Sequence, residues 1–134
     1  MNNLILITGA SGFVGYQVLL RLVEMKINLK IVLRSKINLP DEVKKYVKEI
    51  IYSDNIFKEN KSWWKKAFIN VDICIHLAWY LNHKDYINST KNIECMEGTI
   101  SIAQNAVENK LKKFIGIGTC YEYDSSYELM SIST

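Results

Sequence analysis

The 134-residue chain lacks most of what would mark a metal protein, a secreted protein or a membrane protein. Its three cysteines, Cys74, Cys95 and Cys120, stand far apart and form no C-x-x-C pair, which removes the usual zinc frameworks and any disulfide scaffold. No metal is expected, and a reducing cytoplasm suits free thiols. No apolar run is long enough to cross a bilayer. The run at residues 4–7 is too short for a signal sequence, follows no basic segment and leads directly into glycines. Charge is scarce too: 17 basic residues against 14 acidic ones leave +3, too little and too scattered to call for nucleic acid or a membrane surface. Lys44, Lys45 and Lys48 read as a solvated helix face. Repeats, low-complexity tracts and linkers are missing, so residues 1–134 are read as one domain.

What is present is a core-forming pattern. Hydrophobic residues make up 49% of the chain, enough for one buried core. Short, nearly all-apolar runs recur at residues 4–7, 29–33, 47–52, 73–77 and 114–117, as in parallel strands covered on both faces. Helical periods fill the gaps. Val14, Val18, Leu19, Leu22 and Val23 share one face, as do Ile93, Met96, Ile100, Ala103 and Val107 on a helix expected over 86–109. A helix is expected over 41–48, with Pro40 before it and Asp41 and Glu42 at its positive end. Another, short one is expected over 62–69, where Trp63 and Trp64 read as packing anchors. Strand and helix alternate throughout. That order predicts an α/β, Rossmann-type doubly wound parallel sheet, 3-2-1-4-5, with ligands at the carboxyl ends of its strands.

The strongest local signal is Thr8-Gly9-Ala10-Ser11-Gly12-Phe13-Val14-Gly15, between the first strand and the first helix. Glycines at this spacing supply positive φ for a tight turn, let the backbone approach a pyrophosphate and let the helix pack closely on the sheet. The amides of Gly12, Phe13 and Val14, with Ser11 beside them, would then face the phosphates, helped by the helix dipole. A glycine turn without a ligand is the alternative, but three glycines cost stability that an empty turn would not need.

At the end of the second strand, folds that prefer NAD place a carboxylate for the ribose 2′-hydroxyl. Here the strand ends Val32-Leu33-Arg34-Ser35-Lys36. A guanidinium there suits a 2′-phosphate, which it can grip in two places. NADP is the expected cofactor and NAD the alternative; a merely solvated arginine at a strand end is the bland reading.

These motifs, with Asp54 after the third strand and Asp72-Ile73-Cys74-Ile75-His76-Leu77-Ala78 on the fourth, resemble the extended short-chain dehydrogenase/reductases, the NAD-dependent epimerase/dehydratase family. The likeness continues through Phe114-Ile115-Gly116-Ile117-Gly118-Thr119-Cys120-Tyr121-Glu122-Tyr123-Asp124, which is similar to the family's fifth strand and S-S-x-x-V-Y-G segment. Most members act on nucleotide-activated sugars, and the resemblance implies such a partner and a homodimer for the full-length form. It implies that Asp54 bonds the adenine amino group, that Asn55 or Ile56 flanks the base, and that Leu77, Ala78 and Trp79 line the nicotinamide ribose side. Thr119 falls at the catalytic serine or threonine position, where its hydroxyl would bond the substrate oxygen being oxidised or reduced. Tyr121 and Glu122 would face the substrate cleft. His76 is implied to be structural, His83 reads as solvated, and Cys95 stands where many relatives have an asparagine that supports the active-site water network.

The family's acid/base is the tyrosine of Y-x-x-x-K, its pKa lowered by the lysine ammonium and the nicotinamide charge. No such motif stands in an interpretable place. Tyr80 and Lys84 lie beside the fourth strand, and Tyr86 and Lys91 are one residue too far apart. The family places the motif farther beyond Thr119 than residues 120–134 reach. The expectation is therefore the N-terminal part of a nucleotide-sugar epimerase, dehydratase or 4-ketoreductase. It would be truncated after the fifth strand, lack the C-terminal substrate-binding part and be inactive by itself, with Ile115 and Ile117 left exposed. A non-catalytic dinucleotide-binding module and an inactive fragment are the alternatives.

Overall fold

The structure, a computed structural model, describes residues 3–119. Five strands, β1 (Leu4–Thr8), β2 (Asn28–Leu33), β3 (Val47–Tyr52), β4 (Ile73–His76) and β5 (Lys113–Gly116), alternate with four α-helices. These are α1 (Phe13–Glu24), α2 (Asp41–Lys44), α3 (Lys61–Ala67) and α4 (Lys91–Glu108), and a 3-10 helix, Ile56–Lys58, precedes α3. Every strand pair is parallel and the order is β3-β2-β1-β4-β5, the doubly wound arrangement expected from the alternation.

Side chains alternate across a strand, so β1 sends Ile5 and Ile7 to one face and Leu6 to the other. Ile5 and Ile7 join Leu19 and Leu22 of α1 and Val43 of α2 in one core. Leu6 joins Trp64 of α3 and Ile102 and Ala106 of α4 in the second. Trp64 is fully buried, with its ring 5.2 Å from Phe68 and 4.8 Å from Trp63, so the packing role expected for it holds. Lys30 interrupts the apolar run of β2. Its side chain is 2% exposed and pairs with Glu49 Oε2 at 2.8 Å, the aliphatic stem buried and the ammonium delivered to the edge strand.

Two helices differ from their expected extents. The helix expected over 41–48 ends at Lys44, because Val47–Tyr52 is claimed by pairing with β2; Lys48 lies on β3, exposed and extra in its register between Val47 and Glu49. The helix expected from residue 86 begins at Lys91. Turns occupy the preceding residues, with the Tyr86 amide donating to Asn82 O at 2.9 Å and the Lys91 amide to Ser89 Oγ at 3.2 Å.

The apolar stripe of α4 faces outward. Ile93, Met96, Ile100 and Val107 are half or more exposed, and the helix buries Cys95, Gly98, Ile102, Asn105 and Ala106 instead. Small residues on that inner face let α4 approach the 3-10 helix, and a Cβ on Gly98 would lie 2.5 Å from Phe57 Cβ and 2.6 Å from its Cα. Ile115 and Ile117 are also exposed, as expected.

Helices α1 and α4 end without glycine. Lys26 and Lys110 adopt φ of 59° and 58°, while the Ile27 amide returns to Leu22 O at 3.1 Å and that of Leu111 to Ala106 O at 3.0 Å. A Cβ is costly in this left-handed region. Lys110→Gly should therefore stabilise the chain by about 0.5–1 kcal/mol. Gly98→Ala should destabilise it by about 1–3 kcal/mol, because the added methyl meets backbone rather than a flexible side-chain end. Urea denaturation of both variants beside the parent reads the two signs.

Candidate functional site

The carboxyl ends of β1 to β4 open into a cavity of about 540 Å³. Its floor is the turn after β1. Gly9 has φ +75°, and a Cβ there would lie 2.7 Å from the Ala78 amide nitrogen. A Cβ on Gly15 would collide with the Gly9 carbonyl, so α1 seats directly on the turn. These two glycines form the cradle that close approach of a pyrophosphate requires. The Gly12 amide is spent within the turn, donating to Gly9 O at 3.0 Å, which removes it from the expected phosphate donors. No side chain caps α1, and Ser11 and Gly12, just before its first turn, line the cavity; the Phe13 and Val14 side chains are exposed, Phe13 to 90%.

Arg34 enters from the end of β2, exposed and without an ion pair or hydrogen bond among the described residues. Asp54 and Asn55 enter from the end of β3. Asp54 is exposed, whereas the Asn55 side chain is committed on both sides. Its Oδ1 accepts from the Phe57 amide at 3.1 Å and caps the 3-10 helix, and its Nδ2 donates to Glu94 Oε1 at 2.7 Å. Glu94 also pairs with Lys58 at 3.1 Å. The Asn55 and Lys58 hydrogen bonds hold its carboxyl below the usual range.

Leu77, Ala78 and Trp79 enter after β4. Nine expected cofactor residues thus meet in one cavity: Gly9, Ser11, Gly12, Arg34, Asp54, Asn55, Leu77, Ala78 and Trp79. Phe13, Val14, Gly15 and Ser35 lie outside its walls, and so does Thr119, exposed three residues beyond β5. Tyr121 and Glu122, with Cys120, lie outside the described residues. The sequence reading missed Lys91 and Glu94 of α4 and residues 80–82 as cavity walls. The clue to the second group was the run of turn-formers from Asn82 to Ser89, which breaks the helical period.

Tyr80 and Lys84 have the spacing of Y-x-x-x-K without its arrangement. The Tyr80 hydroxyl donates to Asp85 Oδ1 at 3.0 Å, and the cation over its ring, at 5.5 Å, is Lys91. Cys95 lines the cavity and is 2% exposed; burial raises its thiol pKa, against the Tyr80 amide. Among the described residues no cluster of three or more His, Cys, Asp or Glu could hold a metal, and no helix is long and apolar enough to cross a membrane.

Behind the cavity, His76 Nδ1 lies 2.7 Å from Thr8 Oγ1 and Nε2 lies 2.9 Å from Thr99 Oγ1. The Ala78 amide also donates to Thr8 Oγ1, at 3.4 Å. A tautomer in which Thr8 donates to Nδ1 and Nε2–H donates to Thr99 uses every group, with Thr8 Oγ1 accepting from Ala78. The ring packs against Phe57 at 5.8 Å and Phe114 at 6.1 Å. Buried among them, it ties β1, β4 and α4 together as a neutral imidazole.

The NAD dependent epimerase/dehydratase family profile matches residues 5–133. The chain belongs to this family. Family membership agrees with the glycine cradle and the strand order. Among solved structures, UDP-N-acetylglucosamine 4-epimerase from Bacillus cereus is 17% identical with a TM-score of 0.73, covering 98% of this chain and 46% of that one. MoeE5 in complex with UDP-glucose and NAD is 17% identical with a TM-score of 0.74, covering 97% and 41%. UDP-glucose 4-epimerase from Thermotoga maritima is 18% identical with a TM-score of 0.63, covering 84% and 37%. At these identities the likeness is one of fold, and the chain spans less than half the length of each of the three. A search of curated proteins finds no match.

Burial holds the His76 pKa down at about 4, against an ordinary value of about 6.5. Between those values the unfolded chain binds the extra proton, so folding stability is full above pH ~6.5 and falls as pH drops toward ~4, by about 3 kcal/mol. Urea unfolding of the parent and of His76→Asn across this window should show the parent's slope and its loss in the variant.

Proposed function

We propose that this epimerase/dehydratase family chain binds NADP(H) and forms the dinucleotide half of a nucleotide-sugar epimerase, dehydratase or 4-ketoreductase. The observation that carries the cofactor choice is Arg34. It lines the cavity at the end of β2, exposed and unpaired among the described residues, where a dinucleotide whose pyrophosphate rests on the glycine cradle presents its adenosine ribose. A 2′-phosphate there meets a guanidinium that can contact two of its oxygens. Asp54, open at the end of β3, is the acceptor for the adenine amino group.

Bound in this way, the dinucleotide would supply or accept hydride at a sugar carbon. The residues of this chain hold its pyrophosphate at α1, orient its adenosine half between β2 and β3, and line its course past Leu77 and Ala78. Thr119 is the proposed contact to the reacting substrate oxygen, with Tyr121 and Glu122 beside the sugar. The UDP-sugar substrates named for the similar structures support a nucleotide-sugar partner here. The exposed stripe Ile93, Met96, Ile100 and Val107 gives a second copy apolar surface to bury, which supports a homodimer.

Titration of the chain with NADPH and NADH should show tighter binding of NADPH. Arg34→Asp should weaken NADPH selectively, by about 1–3 kcal/mol for a charge-assisted contact. Equal affinities in the parent, or equal losses in the variant, would remove Arg34 from the role given to it.

A further inference from the structure

Trp79 follows β4 where the backbone rests against the glycine turn, and its indole lines the cavity while remaining 41% exposed. Its polar edge is already satisfied. Nε1 donates to Asn92 Oδ1 at 2.7 Å, and Asn92 Nδ2 is itself anchored, donating to Tyr86 O at 2.5 Å and Ser89 O at 3.1 Å. The ring also meets Phe57, with centroids 6.5 Å apart and planes at 75°. Phe57 has no freedom to retreat: Gly98 of α4 backs it, and His76 packs on it at 5.8 Å. The indole is thus gripped from two sides by groups anchored on α4, with an aromatic surface left open to the cavity.

An aromatic ring that is fixed, partly open and satisfied at its polar edge is suited to stacking on another flat ring. Which ring of a dinucleotide it meets follows from the site's layout. The pyrophosphate belongs at the start of α1 and the adenosine ribose at the end of β2, which leaves the base over the end of β3. Phe57, the residue Trp79 packs against, belongs to the 3-10 helix just past Asp54. Asn92, which holds the indole, stands two positions before Glu94, whose carboxylate accepts from Asn55 at the end of β3, and these links favour the base over the nicotinamide ribose that the family resemblance implied for Trp79.

We propose that Trp79 is the platform on which the adenine of the bound dinucleotide stacks, and that Asn92 is the residue that positions it. This rests on the dinucleotide reading above and adds an aromatic determinant of affinity independent of the 2′-phosphate contact.

Tryptophan fluorescence separates the two halves of the ligand, because Trp63 and Trp64 do not line the cavity. ADP-ribose, which carries the adenine, should quench the emission of the parent chain, and nicotinamide mononucleotide should not. Trp79→Ala should lose that quench and weaken NADPH about tenfold, with Trp79→Phe between it and the parent. Asn92→Leu should lose the quench, while Asn92→Gln, which keeps both the acceptor for the indole and the amide donors, should retain more of it. Circular dichroism verifies folding, and if Trp79→Ala does not fold, Trp79→Phe and the two half-ligands on the parent decide. Quenching by nicotinamide mononucleotide in place of ADP-ribose, or NADPH affinity unchanged in folded Trp79→Ala, overturns the platform and leaves dinucleotide binding standing. Failure of the parent to bind either NADPH or NADH overturns both.

Discussion

The contact on which the site depends is the one between Gly15 and the carbonyl of Gly9. Helix α1 sits so close to the turn after β1 that no side chain fits between them. That approach sets the distance of α1 from the sheet, and with it the packing of Leu19 and Leu22 against Ile5 and Ile7. It also brings Ser11 and Gly12, just before the uncapped start of α1, to the cavity wall. The same turn is held from the other side by β4, since Gly9 has no room for a Cβ beside Ala78. Core packing and ligand geometry are therefore one constraint, and a methyl group at either glycine would disturb both.

Helix α4 is the second organising element. It reaches the cavity through Glu94, which draws Asn55 into place, and through Asn92, which holds Trp79. It supports the sheet from below through Thr99 and His76, and it backs Phe57 through Gly98. These contacts link the ends of β3 and β4 to one rigid helix. The polar groups among them are paired with one another, as buried polar groups must be to avoid a desolvation penalty. His76 stays neutral because burial disfavours its charged form.

Much of the site was legible from residue order. Gly9, Arg34, Asp54 and Ala78 each closely follow a strand end, and in a doubly wound sheet the strand ends converge, so strand assignment alone brings them together. Where the reading erred, a local pattern was overruled by partners distant in the chain. The helical period that ran past residue 44 lost to pairing of Val47–Tyr52 with β2. The stripe from Ile93 to Val107 is the outer face of α4, because the inner face needs small residues to approach Phe57 and hydrophobicity alone does not register that need. The free amide expected at Gly12 is spent in closing the turn.

The sequence by itself determined the parallel sheet, its strand order, the glycine cradle and the basic residue at the end of β2. Each follows from short-range features: apolar runs of strand length, glycine spacing, and the residue that directly follows a strand. Only the tertiary structure decided that Asn55 is a brace between the 3-10 helix and α4, that Lys91 and Glu94 are cavity walls, and that the Trp79 indole is held by Asn92. Those assignments join residues 13 to 39 positions apart, and no local propensity encodes a contact that exists only after the helix has docked on the sheet.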